Sequence, residues 1–352
     1  MGCSRFSGRL QQQHPGCLFP GAAGCEAGAV IVSGKTEAGG PRPAAWRIAV
    51  AFGIVYLGYG LNFLAIKAGV ESLPAFLFAA SHILGAGLIL AVWTAARGGT
   101  VWMPVANLGR AAFAAFFLFV GGVGLVTQGE KLGVPSGVAA IIKASVPLWV
   151  ALLEGLRPRG ERPARLAVAG LLGGASGVAL LVLPRLDGAG GGGQAVGTAL
   201  LLLSALLFAF GSIFVRHHAP DADPVRGSMW MMLFGGGYLV LLGGALGEFG
   251  QVRAEDFGPR AVAAFLFLLL VHSLAAFTAM NWLLRHLPAS IVTTKFFVSP
   301  AIAVVAGWLA MGEAVGVQTV ASLGLILAGV AVVFFGQGKK KKGLADGAAE
   351  EV

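Results

Sequence analysis

The sequence predicts an all-α integral membrane protein whose ten transmembrane helices form two inverted five-helix repeats. Three observations carry that expectation. Of 352 residues, 57% are hydrophobic and only 12% charged, too little polar surface to cover a soluble globule. Ten apolar stretches follow one another along the chain. Landmarks of the first half also recur in the second: Gly160-Glu161 as Gly312-Glu313, Gly177-Val178-Ala179 as Gly329-Val330-Ala331, and Lys143 as Lys295, each at an interval of 152 (295 − 143). Pro135 and Pro147 recur one position later, as Pro288 and Pro300. Self-similarity of this kind fixes the architecture before any motif is read.

In chain order the spans are predicted at 46–66, 74–96, 105–127, 135–156, 164–183, 195–215, 227–247, 262–284, 288–311 and 317–337. Each has about 20 residues or more, which at roughly 1.5 Å per residue crosses the ~30 Å hydrocarbon layer. The first ends at Lys67, the second at the loop 97–104, and the third before Lys131. Pro135 opens the fourth, which ends at the arginine-rich loop 157–163; the fifth stops before Arg185 and the sixth at the loop 216–226. The seventh stops before Arg253, the eighth ends at 285–287, Pro288 opens the ninth, and the tenth gives way to Lys339–Lys342. Residues 46–183 and 195–337 are then the two repeats. An odd number of spans per repeat makes the second copy enter from the opposite face, the inverted arrangement of many secondary transporters.

Residues 1–45 read as a disordered N-terminal tail, rich in Gly, Gln, Pro and Ser, with all three cysteines, Cys3, Cys17 and Cys25. It has no apolar run long enough for a signal peptide. Its Met1-Gly2-Cys3 start lacks the Ser or Thr of a myristoylation signal, Phe6 standing in that place. Residues 338–352 read as a basic cytoplasmic tail. Assigning both tails, the loops 97–104, 157–163, 216–226 and 285–287, and the span ends beside them (Arg47, Arg110, Arg165) to one side collects eighteen of the 25 Lys and Arg there, against five opposite (Lys67, Lys131, Arg185, Arg253, Arg260). By the positive-inside bias both termini are cytoplasmic, in a multi-pass protein of the cell membrane. The net charge of +9 is a topology signal and a contact with anionic lipid headgroups, not a sign of nucleic acid.

Lys143 and Lys295 lie inside the fourth and ninth spans. All sixteen acidic residues fall in tails, loops or helix ends, with Glu154 and Glu248 the deepest. A lysine at the centre of a membrane helix costs about 2.5–3.5 kcal/mol on insertion scales, so it is rarely idle. Without a paired carboxylate, each is either deprotonated by desolvation or neutralised by a bound anion; snorkelling or packing against helix carbonyls is the bland alternative. The two helices run in opposite directions, so both lysines can border one central cavity. Pro147 and Pro300 add to this, freeing the carbonyls of Lys143 and Phe296 four residues earlier. Asn62, His82, Thr127, Gln128, Ser145, His272, Asn281, Thr294 and Ser299 are further candidates for the cavity wall, although a Ser or Thr in a membrane helix often bonds its own backbone.

Other features read as structural. Glu161 and Glu313 stand at helix starts, where a carboxylate complements the helix dipole. His217, His218, Asp221 and Asp223 occupy a short hydrophilic loop without metal-ligand spacing. Gly170-x-x-x-Gly174, Gly173-x-x-x-Gly177 and Gly243-x-x-x-Gly247 let helices approach closely, within the bundle or against a second copy in a homodimer. No phosphate-cradling Gly-x-x-x-x-Gly-Lys-Ser/Thr motif is present, so ATP-driven pumping is not expected.

The run Gly60-Leu61-Asn62-Phe63-Leu64-Ala65-Ile66-Lys67, then Gly69-Val70-Glu71-Ser72-Leu73-Pro74 and Ala86-Gly87, resembles the opening of EamA-type members of the drug/metabolite transporter superfamily. Pro135-Ser136-Gly137 with Pro147 is similar to their fourth helix, and both Gly-Glu pairs and Gly211-Ser212 fit. The resemblance spans roughly 46–337. It implies a ten-helix exporter or exchanger with both termini inside. Two positions depart from the pattern: Tyr59 replaces the usual Trp, and His82 the usual Arg of the second helix. Phosphate translocators of the same superfamily bind anions with membrane lysines, which supports the same role here by resemblance.

The expected function is secondary transport of a small organic metabolite, anionic or zwitterionic, by alternating access between the repeats. Lys143 and Lys295 would hold its negative group. The alternatives are a proton-coupled exporter of neutral or amphipathic compounds and, from another class, an integral-membrane enzyme, for which no acid/base or metal constellation is visible. No cofactor or nucleic-acid partner is expected; the partners are the solute, membrane lipids and, through the glycine seams, a second copy of the chain. Orientation is directly testable. In a chain whose three native cysteines are removed, a cysteine at Asp223 should react with an impermeant maleimide from the inside and one at Asp256 from the outside; labelling of both from one side would overturn the ten-span topology.

Overall fold

The computed structural model describes residues 44–157, 165–186, 191–221, 223–287, 289–292 and 294–350. The tail up to residue 43 and Glu161 lie outside them. Among the described residues there are helices and connecting turns and no strand. Nine helices of the described residues are long and apolar enough to cross a bilayer: α1 (Ala45–Val70), α2 (Ala75–Ala96), α3 (Val105–Lys131), α4 (Ser136–Leu156), α5 (Leu166–Arg185), α6 (Gly192–His217), α7 (Pro224–Ala245), α8 (Pro259–Leu284) and α10 (Val317–Phe334). The shorter α9 (Lys295–Met311) completes the ten. The predicted ninth span is not continuous: a one-turn helix, Ala289–Val292, precedes α9. The backbone of α10 also stays helical as far as Glu350, through the basic run Lys339–Lys342.

Packing follows a pseudo-two-fold relation. The equivalent pairs α2 with α7, α5 with α10, and α4 with α9 pack against each other. The contact of α3 with α6 is mirrored by α8 with α1, and that of α4 with α6 by α9 with α1. This is the pattern of two inverted five-helix repeats. Even the helical irregularities are repeated. A π-helical stretch interrupts α3 at Phe116–Gly124 and α8 at Phe267–Ala276, and such widened turns concentrate at functional sites.

Four of the six glycines flagged as close-approach positions meet other parts of the chain, while a Cβ on Gly173 or Gly247 would meet nothing within 4 Å. A Cβ on Gly170 would come within 2.7 Å of the Gly329 carbonyl oxygen, and one on Gly329 within 2.6 Å of that of Gly170. Gly177 meets Ile326 and Gly174 meets Leu148. The backbones of α5 and α10 therefore touch, giving in lipid the dispersion contact that a hydrophobic drive cannot supply. Gly243 lies against Leu77 and Glu248, while Gly247 is a turn residue with φ +73°.

The bundle has a near end, where α1 begins and α10 runs on, and a far end, where α1 and α3 finish and α2 and α4 start. Two carboxylates cap helices across the far end. Glu313 accepts from the backbone N–H groups of Ser136 (2.6 Å) and Gly137 (3.0 Å) at the start of α4, and Glu248 accepts from those of Phe76 (3.1 Å) and Leu77 (2.9 Å) at the start of α2. The expectation that Glu313 serves the helix following it is thus corrected. Gly312, at φ +64°, ends α9 and turns the carboxylate onto the other repeat, where it satisfies orphan amides and complements the dipole. At the near end Glu154 of α4 joins Arg216 (3.7 Å) and His217 (2.8 Å) of α6. Asp221 is buried rather than solvated and holds Arg226 through two bonds of 2.5 and 2.7 Å.

Gly329→Leu should be among the most damaging single changes to stability, since overpacking costs about 1–3 kcal/mol even without a backbone in the way. A large drop in the thermal unfolding midpoint of the detergent-purified protein is expected, and an unchanged midpoint would contradict the α5–α10 contact.

Candidate functional site

Three broken helices shape the centre of the bundle. α4 is interrupted at Ser145, because Pro147 sits in the first turn of its second half and cannot donate to the Lys143 carbonyl. α9 is separated from the one-turn helix before it by the turn at Thr294. α1 is interrupted at Leu61, between Gly60 and Asn62. Lys143 therefore stands two residues before one break and Lys295 one residue after another. Irregular backbone at this depth is tolerated only where protein buries it or a cavity receives it.

A cavity of about 260 Å³ lies between the repeats, and both lysines are on its wall. Sites for drug-sized ligands run to roughly 300–1,000 Å³, so this one suits a small solute. Asn62, His82, His272 and Ser299 also line it. The rest of the wall is largely apolar and aromatic, including Tyr59, Phe63, Phe119, Phe208, Met231, Met280 and Phe296.

Among the described residues, the wall around the lysines has no carboxylate. Lys143 Nζ donates to the Gly122 carbonyl and to Ser204 Oγ, both at 3.2 Å, and lies 4.4 Å from the centre of the Phe208 ring. Lys295 Nζ lies 2.9 Å from Met280 Sδ, 3.9 Å from the centre of the Tyr59 ring and 5.1 Å from that of Phe296. Each cation rests on the negative face of an aromatic ring. Three other wall atoms are buried without a protein partner: Asn62 Oδ1, His82 Nε2 and Ser299 Oγ. The opposite edge of His82 approaches Ser273 Oγ at 3.4 Å, and His272 Nδ1 meets the Gly58 carbonyl at 3.1 Å. Pro300 leaves the Phe296 carbonyl without its helical donor, and both residues face the cavity.

Five sequence candidates, Thr127, Gln128, Ser145, Asn281 and Thr294, are not on the wall. Ser145 is fully buried in the α4 break, where its hydroxyl donates to the Ile142 carbonyl (2.6 Å) and accepts from Trp149 Nε1 (3.2 Å). Asn281 bonds the Phe277 carbonyl on its own helix at 3.0 Å. Thr294 donates to the Ile291 carbonyl (2.7 Å) and meets the Tyr56 hydroxyl at 2.7 Å, tying α1 to α9. Ser145, Asn281 and Thr294 all satisfy nearby backbone or hydroxyl groups, the competing use of such side chains. Thr127 does likewise, donating to Val123. Sequence reasoning missed Tyr59, Ser228 and Ser273 on the wall. Tyr59 had a signal, since it replaces Trp in the pattern beside Gly58 and Gly60. Of the two acids that the sequence marked as deepest, Glu248 is buried and Glu154 partly exposed in its ion-pair cluster; Glu130, which it did not mark, is fully buried. Among the described residues no group of three or more His, Cys, Asp or Glu gathers to hold a metal.

Fold and cavity place the chain among membrane transporters built by inverted duplication. The profile of the EamA-like transporter family matches residues 46–183 and 195–335, and the chain belongs to that family. It is 29% identical to the uncharacterized inner membrane transporter YedA of Escherichia coli K12 over 283 residues, covering 80% of this chain and 89% of YedA. A chloroplastic WAT1-related protein of Arabidopsis thaliana is 25% identical over 286 residues, 78% of this chain and 65% of that protein. The uncharacterized transporter YoaV of Bacillus subtilis 168 is 20% identical, covering 82% and 96%. A crystal structure with 19% identity superposes with a TM-score of 0.57 over 83% of this chain and 98% of the other, a likeness of fold.

Proposed function

We propose that the protein carries a small organic solute with a negative group, anionic or zwitterionic, across the membrane by alternating access of its two repeats. The observation that carries this reading is the pair of lysines on one cavity wall, neither with a carboxylate near it. Their present partners are neutral: a carbonyl, a hydroxyl, a thioether and aromatic faces. An anion entering the cavity exchanges these weak contacts for charge-assisted hydrogen bonds. Asn62, His82, His272 and Ser299 would bind its remaining polar atoms, and the Phe and Met side chains its apolar body. Breaks in α1, α4 and α9 beside the cavity support rocking of one repeat against the other. Relatives named as transporters support the same reading. The bias of basic residues supports a cytoplasmic near end, with both termini on that side.

A thermal-shift screen of metabolite anions on the purified protein identifies the solute, and uptake into proteoliposomes then tests the site. Lys143→Ala and Lys295→Ala should each raise the half-saturation concentration by about tenfold or more, since a hydrogen bond to a charged group contributes about 1.5–3 kcal/mol. Arg replacements should retain part of the affinity, keeping charge but changing its geometry. Normal rates and affinities in both alanine variants would remove the lysines from the site.

A further inference from the structure

Glu130 is the charged residue that neither the solute site nor the helix caps explain. Its side chain is 0% exposed and neither carboxyl oxygen has a hydrogen-bond partner. It sits one helical turn beyond Val126, a cavity-lining residue on the same face of α3. On α4, Ser136 stands one turn beyond the lining residue Ala140, and its buried hydroxyl is also unpartnered. On α1, Lys67 directly follows the lining residue Ile66. The three helices thus close the cavity toward the far end with a polar layer about one turn, roughly 6 Å, thick.

That layer is held by cations on backbone oxygens. Lys67 Nζ of α1 donates to the carbonyls of Glu130 (2.8 Å) and Val134 (3.3 Å), clamping the α3–α4 turn. Lys131 Nζ reaches back to the carbonyls of Val70 (2.6 Å) and Leu73 (3.2 Å), clamping the α1–α2 turn. The charged groups facing the Glu130 carboxyl are Lys67 and Glu313. Glu313 is committed to the amides of Ser136 and Gly137; Lys67 is committed to the Glu130 main chain, not to its carboxyl.

We propose that Glu130 is a proton-binding site that couples opening of the far mouth of the cavity to release of its proton. This rests on the transporter reading above and names its coupling group. In the sealed conformer the carboxylic acid carries the proton, because a buried carboxylate without a donor is costly. Loss of the proton to water at the far end leaves a carboxylate that draws the Lys67 ammonium off Val134 and repels the Glu313 carboxylate. The first change frees the Val134 carbonyl while α1 stays tied to α3 by the new ion pair; the second drives the α9–α10 turn away from the α3–α4 turn. Reprotonation restores the seal.

The test uses the full chain in lipid nanodiscs, with its native cysteines removed and spin labels on cysteines at Ser72, in the α1–α2 turn, and Val315, in the α9–α10 turn. Raising the pH should convert the short distance population to a longer one. Glu130→Gln should hold the short population throughout, and Glu130→Asp should retain the response with a shifted midpoint. In the parent chain, the infrared carbonyl band of a buried carboxylic acid should fade as the longer population grows. A distance distribution insensitive to pH, a response that survives in Glu130→Gln, or one driven by sodium at constant pH would each overturn the proposal. Lys143→Ala should leave the pH response intact, so failure of the solute-site reading and failure of this one are told apart.

Discussion

Hydrocarbon offers no partner to a backbone N–H or C=O, so a chain that crosses it must satisfy every amide along its own helix or bury the exceptions in protein. Most of this structure obeys the first option. Among the described residues the exceptions border one cavity: the break of α4 at Ser145, the turn before α9 at Thr294, the break of α1 at Leu61, and the wide turns of α3 and α8. Their convergence creates a protein-lined cavity in which two ammonium groups rest without leaving the membrane. Cavity, lysines and irregular helices are one feature seen from three sides.

The architecture was legible because the bilayer imposes a length and duplication imposes a period. Ten runs of roughly the right length, repeated landmarks and asymmetric basic loops are properties of the linear string. Lys143 and Lys295 were legible for the same reason: a cation in an apolar run is conspicuous, and its recurrence at the repeat interval doubles the signal. What escaped is what depends on rotation about a helix axis. Ser145, Asn281 and Thr294 have the same chemistry as Asn62, His82 and Ser299, yet the first three satisfy neighbouring backbone or hydroxyl groups while the second three face the cavity. Spacing cannot separate them, since a helix break resets the phase of every residue beyond it.

Carboxylates were harder still. Glu130 and Glu154 both sit near the ends of predicted spans, but one is enclosed by three helices and the other stands among arginines at the membrane edge. Burial of a helix end is decided by its neighbours in space. The role of Glu313 was missed on the same ground: its partner amides lie 177 and 176 positions away, a pairing no local pattern announces.

That cap bears on how the protein is made. Ser136 and Gly137 open a helix in the first repeat, yet the carboxylate that satisfies their amides belongs to the turn closing α9 in the second. During synthesis the first five spans leave the ribosome while the start of α4 still lacks its acceptor. The amino-terminal half alone therefore cannot complete this cap, which forms only once nearly the whole chain has been translated.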